Sequence, residues 1–235
     1  MLLKRFSDNI KQLGVANGLL YLAHRALHTV SGGKARIVRY FLVAQPVPQR
    51  TFGNVRASAS STTNLIAPED PITASFPRPA EVIAKRFENG NQCIVASAGE
   101  RFAGFIWIAR NHYLEDEVRC LYHLNSPQNT AWDYDVYVEP EFRIGRTFAR
   151  LWNAANNHLS RDGVAWTISR ISAFNPGSLQ SHRRLGIQTL CTATFLCIGS
   201  FQLMIAGTSP YIHFSFARKS RPTLCLSPKE NGAAK

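Results

Sequence analysis

Acidic residues are scarce in this chain of 235 residues. Fifteen Asp and Glu stand against 27 Lys and Arg, which gives a formal net charge of +12 at pH 7. A surplus of basic residues favours anionic partners, such as nucleotide phosphates, acidic proteins, nucleic acids or membrane surfaces. The positive charge therefore indicates a negatively charged partner but does not identify it. The alternative is a basic surface that binds no partner.

Cysteine pairs with the spacing of a metal or redox site are also lacking. The five cysteines stand at positions 93, 120, 191, 197 and 225, and none forms a C-x-x-C motif. His24 and His28 have the i, i+4 spacing of metal ligands, but no third ligand is evident nearby. We therefore expect free thiols, a cytoplasmic protein and no metal cofactor.

No segment is a convincing secretion signal or membrane span. The apolar run around residues 13–23 contains two glycines and an asparagine, and His24 and Arg25 follow it directly. Ile187 to Ala206 is uncharged over 20 residues, which is the length of a membrane-spanning helix. Because Gly199-Ser200 lies in its middle like a hairpin turn, we predict two strands there instead.

The remaining periodic patterns predict alternating helices and strands. They give one or two helices over Leu2–Val30, strands over Arg36–Gln45 and Val118–Leu124, a helix over Pro79–Phe87, a hairpin of Cys93–Ser97 with Phe102–Ala109, and an apolar run at Tyr211–Ala217. We predict a helical extension at 1–33, a single domain at 34–218 with a Ser/Thr/Pro-rich loop at 50–79, and a flexible basic tail at 219–235. The N-terminal helix either packs on the domain or lies on a membrane surface.

The segment from Trp132 to Gly186 is the most informative. Its first strand, Trp132–Val138, alternates, so we expect Trp132, Tyr134, Val136 and Val138 on a core face. Asp133 and Asp135 would then lie on the other face, about 7 Å apart. Two carboxylates at so short a distance raise one another's pKa, which would help one of them act as a base near neutral pH.

A basic turn and a helix follow this strand. Pro140 ends the strand, and Arg143 and Arg146 flank the turn. The apolar residues of the next helix have helical spacing, at Phe148, Leu151, Trp152, Ala155 and Leu159. Arg161-Asp162-Gly163 is typical of a helix end.

A second strand, Val164–Ile171, leads to a capped helix. Asn175 is a favoured N-cap residue and Pro176 suits the first helical position, so we predict a helix from here to about Gly186.

These motifs, in this order from Gln92 to Ala206, resemble the GNAT N-acetyltransferase superfamily over roughly half of the chain. The fourth strand of that family ends in Val-x-Pro, an aromatic residue and an arginine, which Val138, Pro140, Phe142 and Arg143 match. A later family motif of Asn, a small residue, an aromatic residue and Leu-Gly is matched by Asn175, Ser178, His182, Leu185 and Gly186.

The resemblance implies an α/β (α+β) fold, with a mixed, mostly antiparallel central sheet flanked by helices and an added N-terminal helix. It implies acetyl-CoA or another acyl-CoA as co-substrate, entering between the fourth and fifth strands. The residues that would bind it are Val136, Tyr137, Val138, Arg143, Gly145, Arg146, Asn175 and Ser178. It also implies a base on the fourth strand, Asp133 or Asp135, and His182 as the group that protonates the leaving thiolate.

The chain departs from the family at the phosphate-binding turn. Family members have small residues at two positions where Arg146 and Phe148 stand, and Gly145 lies one place out of register. Glycine lets backbone N–H groups approach a pyrophosphate, whereas Arg146 would act through its charge.

Three functions follow. The first is an N-acyltransferase acting on a small primary amine, an amino sugar or amino acid, with acyl carrier protein as another possible donor. The second is a non-catalytic GNAT-like binding module that has lost the phosphate turn. The third is a basic protein that binds nucleic acid or a membrane surface, which we rank last because no aromatic RNA-binding signature accompanies the charge.

Overall fold

The computed structural model describes residues 12–48 and 61–229, and the chain forms two compact units. Unit 1 comprises the described residues up to Gln45, His112–Asn125 and the chain from Ile168 onward, and unit 2 comprises those in Pro46–Asn111 and Ser126–Thr167. The two units therefore interleave along the sequence. The predicted boundaries at residues 33 and 218 remain predictions.

Unit 2 is a four-stranded antiparallel sheet with helices. Its elements are β2 (Ser61–Ile66), a 3-10 helix (Pro71–Ser75), α2 (Ala80–Glu88), β3 (Gln92–Ala98), β4 (Arg101–Ala109), β7 (Thr130–Val138), a 3-10 turn (Pro140–Phe142) and α3 (Thr147–Arg161). The strand order is β7-β4-β3-β2, and each neighbouring pair is antiparallel.

The central strand β4 is buried on both faces, which explains its almost continuous apolar sequence. On one face Ile106 and Ile108 pack with Leu151 of α3 in the main core cluster. On the other face Trp107 meets Phe87 of α2, with ring centroids 4.9 Å apart. Burial of apolar surface on both faces anchors α2 and α3 to the sheet.

Unit 1 contains the remaining elements, apart from the last residue of β1 and the first two residues of β8, which belong to unit 2. They are α1 (Val15–Val30), β1 (Ala35–Pro46), β5 (His112–Leu114), β6 (Leu121–Leu124), β8 (Trp166–Ser172), α4 (Pro176–Arg183), β9 (Gln188–Ile198), β10 (Phe201–Ala206), β11 (Ile212–Ser215) and β12 (Thr223–Leu226). The strand order is β11-β10-β9-β1-β8, and β12-β6-β5 form a separate sheet. The β1–β9, β9–β10 and β10–β11 pairs are antiparallel, whereas β12 runs parallel to β6.

Most of the predicted elements are confirmed. The fold class is mixed α/β with a mostly antiparallel sheet, flanking helices and an N-terminal helix, as predicted. Ile187–Ala206 contributes the β9–β10 hairpin, with Gly199 at φ 57° in the turn. Within the described ranges, no helix is both long enough and apolar enough to span a bilayer. The predicted helix residues 2–11 lie outside the described residues.

Two predictions of irregular structure are wrong. Ser61–Ile66, expected to be loop, pairs with β3 along its whole length. Thr223–Leu226, expected to fray, forms β12, in which Leu224 and Leu226 are buried. Thr223–Leu226 alternates in burial throughout and Ser61–Ile66 over its first four residues, and so short an alternating run next to Pro and Ser residues is easily mistaken for a loop.

Candidate active site

Strand β7 contains a bulge at Asp135. Trp107 of β4 pairs with Tyr134 and Phe105 pairs with Tyr137, so two residues of β7 stand opposite one residue of β4. Asp135 has φ 47°, in the left-handed region, which Asp and Asn tolerate better than most residues. The bulge therefore re-aims every side chain of β7 that follows it.

The bulge overturns the predicted alternation of faces. Tyr134 and Tyr137 share one face, because their partners Trp107 and Phe105 are two residues apart on β4. Asp133 instead pairs with Ile108, whose side chain belongs to the core cluster below α3, and it is only 4 % exposed. The prediction that Asp133 and Asp135 lie on one face is wrong.

Two arginines hold the carboxylate of Asp135. Arg78 donates from Nε at 2.9 Å and from Nη2 at 2.5 Å, and Arg86 donates from Nη1 at 2.6 Å. The side chain of Asp135 is 15 % exposed and that of Arg86 is 11 % exposed. We call these three residues the arginine clamp. Such charge-assisted bonds in a partly desolvated setting hold both the side chain and the bulge in one geometry.

Aromatic rings support the clamp from the same face of the sheet. The Arg86 guanidinium lies 5.1 Å from the ring centroids of both Trp107 and Tyr134. The Arg78 guanidinium lies 5.6 Å from the ring of Tyr137. These cation–π contacts fix the guanidinium groups as well as the carboxylate.

Gly104 allows β7 to approach β4 at the bulge. A Cβ atom at this position would stand 2.4 Å from the carbonyl oxygen of Tyr137 and 3.3 Å from Leu151 Cδ1. Neither atom has room to move freely, because one is backbone and the other is in the core. A glycine is therefore required here to seat the bulge under α3.

The turn after β7 presents the predicted arginines. Arg143 donates from Nε to the carbonyl oxygen of Val138 at 3.0 Å, so it fastens the end of the strand. The N–H of Gly145 donates to Phe142 O, and a Cβ on Gly145 would lie 3.3 Å from that same oxygen. Gly145 therefore allows the chain to turn tightly, one residue before the N-cap of α3.

Arg146 occupies the N-cap position of α3, and its side chain makes no capping hydrogen bond. The first amide groups of a helix have no acceptor within the helix, so they remain available to an anion. A cavity of about 190 Å³ lies at this end and is lined by Gly145, Arg146, Thr147 and Arg150 together with small residues of β2, β3 and β4. Phe142 and Glu141 also line it, and the carboxylate of Glu141 accepts from Arg101. The Nε of Arg150 is buried without a hydrogen-bond partner among the described residues.

One predicted core position of α3 is wrong. Leu151, Trp152, Ala155 and Leu159 are buried as predicted, but Phe148 is 37 % exposed, and its ring centroid lies 6.3 Å from that of Trp152. Thr147 is buried in its place. The helix begins at Thr147, one residue before Phe148.

The remaining predicted site residues lie in unit 1. Asn175 caps α4, since its Oδ1 accepts from the N–H of Ser178 at 3.0 Å. The predicted N-cap is thereby confirmed, whereas any contact of Asn175 or Ser178 with a coenzyme stays a prediction.

His182 lies near the C-terminal end of α4. Its Nδ1 lies 3.3 Å from Gln45 Oε1 at the end of β1. Burial lowers the pKa of His182 below its usual 6.5. The imidazole is therefore mostly neutral at pH 7.

Sequence reasoning missed the arginine clamp and the bulge. A signal for the bulge was present in Gly104, an isolated glycine inside an apolar strand. Arg78 and Arg86 carry no such signal, because they lie 57 and 49 residues from Asp135 along the chain. No group of three or more metal-ligating side chains occurs within residues 12–48 and 61–229.

No protein-family model matches the chain, and no curated protein sequence matches it either. Similar solved structures include a conserved protein of unknown function from Staphylococcus epidermidis, with a TM-score of 0.48, 11 % identity and coverage of 73 % of this chain and 66 % of that one. A tandem GNAT protein from the clavulanic acid biosynthesis pathway gives a TM-score of 0.45 and 15 % identity, covering 70 % of this chain and 55 % of that one. An aminoglycoside acetyltransferase from an uncultured soil metagenomic sample gives a TM-score of 0.39 and 15 % identity, covering 54 % of this chain and 87 % of that one.

This chain thus spans less than two thirds of the length of the first two proteins. Its structural neighbours include GNAT acetyltransferases, at low sequence identity and with TM-scores below 0.5.

Proposed function

We propose that the protein is an N-acyltransferase of GNAT type, which moves an acyl group from acyl-CoA to a small primary amine such as an amino sugar or amino acid. The observation that carries the proposal is the uncapped N-terminus of α3, which opens onto a cavity lined by Arg146 and Arg150. Its support from the sequence is the resemblance of residues 92–206 to the GNAT superfamily.

The phosphate groups of the donor would bind at the start of α3. Arg146 and Arg150 offer charge-assisted hydrogen bonds, and the first-turn amides add the positive end of the helix dipole. The buried, unpartnered Nε of Arg150 fits an oxygen ligand, because a buried donor without an acceptor costs free energy. Charge here would replace the glycine-rich backbone approach of the family.

The thioester supplies the acyl group, and the backbone of Val136–Val138 would orient it. These residues directly follow the bulge, whose geometry is fixed by the arginine clamp on one face and by Gly104 against Leu151 on the other. Backbone N–H groups held rigidly toward a carbonyl oxygen stabilise the charge that develops on it during acyl transfer.

A carboxylate of β7 would take the proton of the acceptor amine. Asp133 and Asp135 are the candidates, and because the bulge puts them on opposite faces, at most one serves. Asp133 is 4 % exposed, and both oxygens of Asp135 accept from arginines. Either would need to act through water.

His182 would return a proton to the thiolate. Only its protonated form is a competent donor at ordinary pH, since a neutral imidazole gives up its proton very reluctantly. The lowered pKa of His182 therefore predicts that its contribution grows as the pH falls below 6.5.

The second candidate function is a non-catalytic GNAT-like binding module that has lost the phosphate turn and binds another ligand or partner. The replacement of two small residues by Arg146 and Phe148 favours this alternative, because the backbone approach of the family to the coenzyme phosphates is lost. Binding of acyl-CoA and release of free CoA distinguish the two functions.

Titration calorimetry with acetyl-CoA tests the donor site. We expect binding, and we expect Arg146→Gln and Arg150→Gln each to weaken it about tenfold, the loss of one charge-assisted contact of about 1.4 kcal/mol. Arg161→Gln, at the opposite end of the same helix, is the matched control and should bind like the wild type. Absence of binding by acetyl-CoA and by longer acyl-CoAs would exclude the acyltransferase and favour the module, whereas binding without CoA release would exclude catalysis alone.

A further inference from the structure

We propose that unit 1 carries a binding site for a small, doubly charged oxyanion, a phosphate group or a dicarboxylate, in the cavity bounded by Arg119, Arg218 and Arg221. We call it the unit 1 anion site. None of its residues takes part in the proposed donor site.

The cavity has a volume of about 270 Å³, which suits a ligand of this size. Four arginines line it, at positions 36, 119, 218 and 221, and the segment Glu115–Glu117 contributes three carboxylates. The balance of charge in the cavity therefore depends on where those carboxylates are already engaged.

A fifth arginine engages all three carboxylates. Arg170 donates from Nε to Glu115 Oε2, and its other nitrogens lie 3.4 Å from Asp116 Oδ1 and 3.9 Å from Glu117 Oε2. Glu117 also accepts from the hydroxyl of Tyr40. With all three carboxylates ionised, five arginines leave a formal net charge of +2 around the cavity. Burial raises the pKa of Glu115 to about 7, so the net charge near neutral pH is +2 or slightly more.

Arg119 is held in place before any ligand arrives. Its Nη1 and Nη2 donate to the carbonyl oxygens of Ser200 at 2.8 Å and Ser215 at 2.9 Å. The side-chain amide of Gln202, which is 3 % exposed, bonds both the N–H and the C=O of Arg119 at 2.8 Å. The Nε of Arg119 is buried with no hydrogen-bond partner in the described structure. Preorganised donors lose little entropy when they bind an anion.

Arg218 and Arg221 supply the open side of the site. Both are exposed, and neither forms an ion pair with any residue in the described part of the chain. Two free guanidinium groups next to a fixed third one form a donor set that matches the planar geometry of carboxylate and phosphate oxygens. A dianion would balance the net charge of the cavity.

Thermal unfolding in the presence of the anions tests the proposal. In 50 mM sodium phosphate at pH 7.5 we expect a Tm about 5 °C above that in sodium chloride of equal ionic strength, the shift for a site with a Kd of about 1 mM. A parallel arm with sodium succinate distinguishes a phosphate group from a dicarboxylate, and a rise in either arm supports the site. Absence of a rise in both arms overturns it.

Arginine variants test whether the rise in Tm comes from the unit 1 anion site. Arg218→Gln and Arg221→Gln should each remove at least half of the rise, whereas Lys219→Gln should keep it, since Lys219 stands between them without lining the cavity. An Arg146→Gln background reduces any contribution from phosphate bound at the proposed donor site, and Arg218→Gln should still remove at least half of the remaining rise. A rise that survives Arg218→Gln and Arg221→Gln would overturn the assignment.

Discussion

Removal of the Asp135 carboxylate should destabilise the protein more than removal of any exposed acid. Asp135→Ala leaves Arg78 and Arg86 without their shared counter-charge, and both are partly buried against aromatic rings. It also places alanine at φ 47°, where an L residue other than Asp, Asn or Gly is strained.

The magnitude follows from these two losses. Breaking a buried ion pair by removing one partner costs about 3–5 kcal/mol, and the left-handed backbone adds about 1 kcal/mol for alanine. The side chains of Arg86 and Arg78 are 11 % and 29 % exposed, so we take the cost of breaking the ion pairs at the lower end of this range, about 3 kcal/mol. We therefore expect Asp135→Ala to lower the free energy of unfolding by about 4 kcal/mol. Asp135→Asn should cost about 2 kcal/mol, because asparagine adopts the left-handed backbone conformation and keeps the shape of the side chain but loses its charge.

Urea denaturation followed by circular dichroism measures these differences. Glu141→Ala is the matched control, because Glu141 pairs equally closely with Arg101 but both side chains are more than half exposed. Such an exposed pair contributes at most about 1 kcal/mol. If Asp135→Ala and Glu141→Ala proved equally mild, the arginine clamp would not hold the bulge and the reasoning would be refuted.

Further predictions concern Gly104, His182 and Asn175. Gly104→Ala should cost about 3 kcal/mol because its Cβ would meet Tyr137 O at 2.4 Å, whereas Gly177→Ala, with 3.7 Å to its nearest neighbour, should be almost neutral; equal melting temperatures would contradict this. The ring signals of His182 should titrate below pH 6.5 in an NMR titration, and a value at or above 6.5 would refute its burial. Because its pKa is lowered in the folded state, stability should fall as the pH drops from 6.5 through that pKa, and His182→Gln should flatten this slope in denaturation curves. Asn175→Ala should cost about 1 kcal/mol through loss of the α4 cap, measured by thermal unfolding, and no change would mean that the cap is dispensable.

Elements with a strong local signal were predictable from the sequence. The β3–β4 hairpin, the helix α3 with its end at Asp162 and Gly163, and the cap at Asn175 all depend on periodicity or on residues within one turn. The β9–β10 hairpin could be distinguished from a membrane helix because Gly199-Ser200 marks its turn.

Features that depend on distant residues were not predictable. The face occupied by Asp133 and Asp135 is set by one extra residue in β7, and a shift of one position moves a side chain to the other side of a sheet. The arginine clamp joins Asp135 to residues of α2 and of the segment before it, which only the folded chain brings together. Strand β12 likewise gains its stability from pairing with β6, about 100 residues earlier in the sequence.

The proposed acyl transfer is tested most directly by following free CoA and acylated amine together. The purified protein would be incubated with acetyl-CoA and a panel of amino sugars and amino acids, and both products measured by mass spectrometry, because the free cysteines, including the exposed Cys225, would react with thiol dyes. We predict equal amounts of CoA and N-acetylated product with at least one amine, and a rate at least tenfold lower in Arg146→Gln below saturating acetyl-CoA. No CoA release with any amine, from a protein that is folded and binds acetyl-CoA, would contradict catalysis.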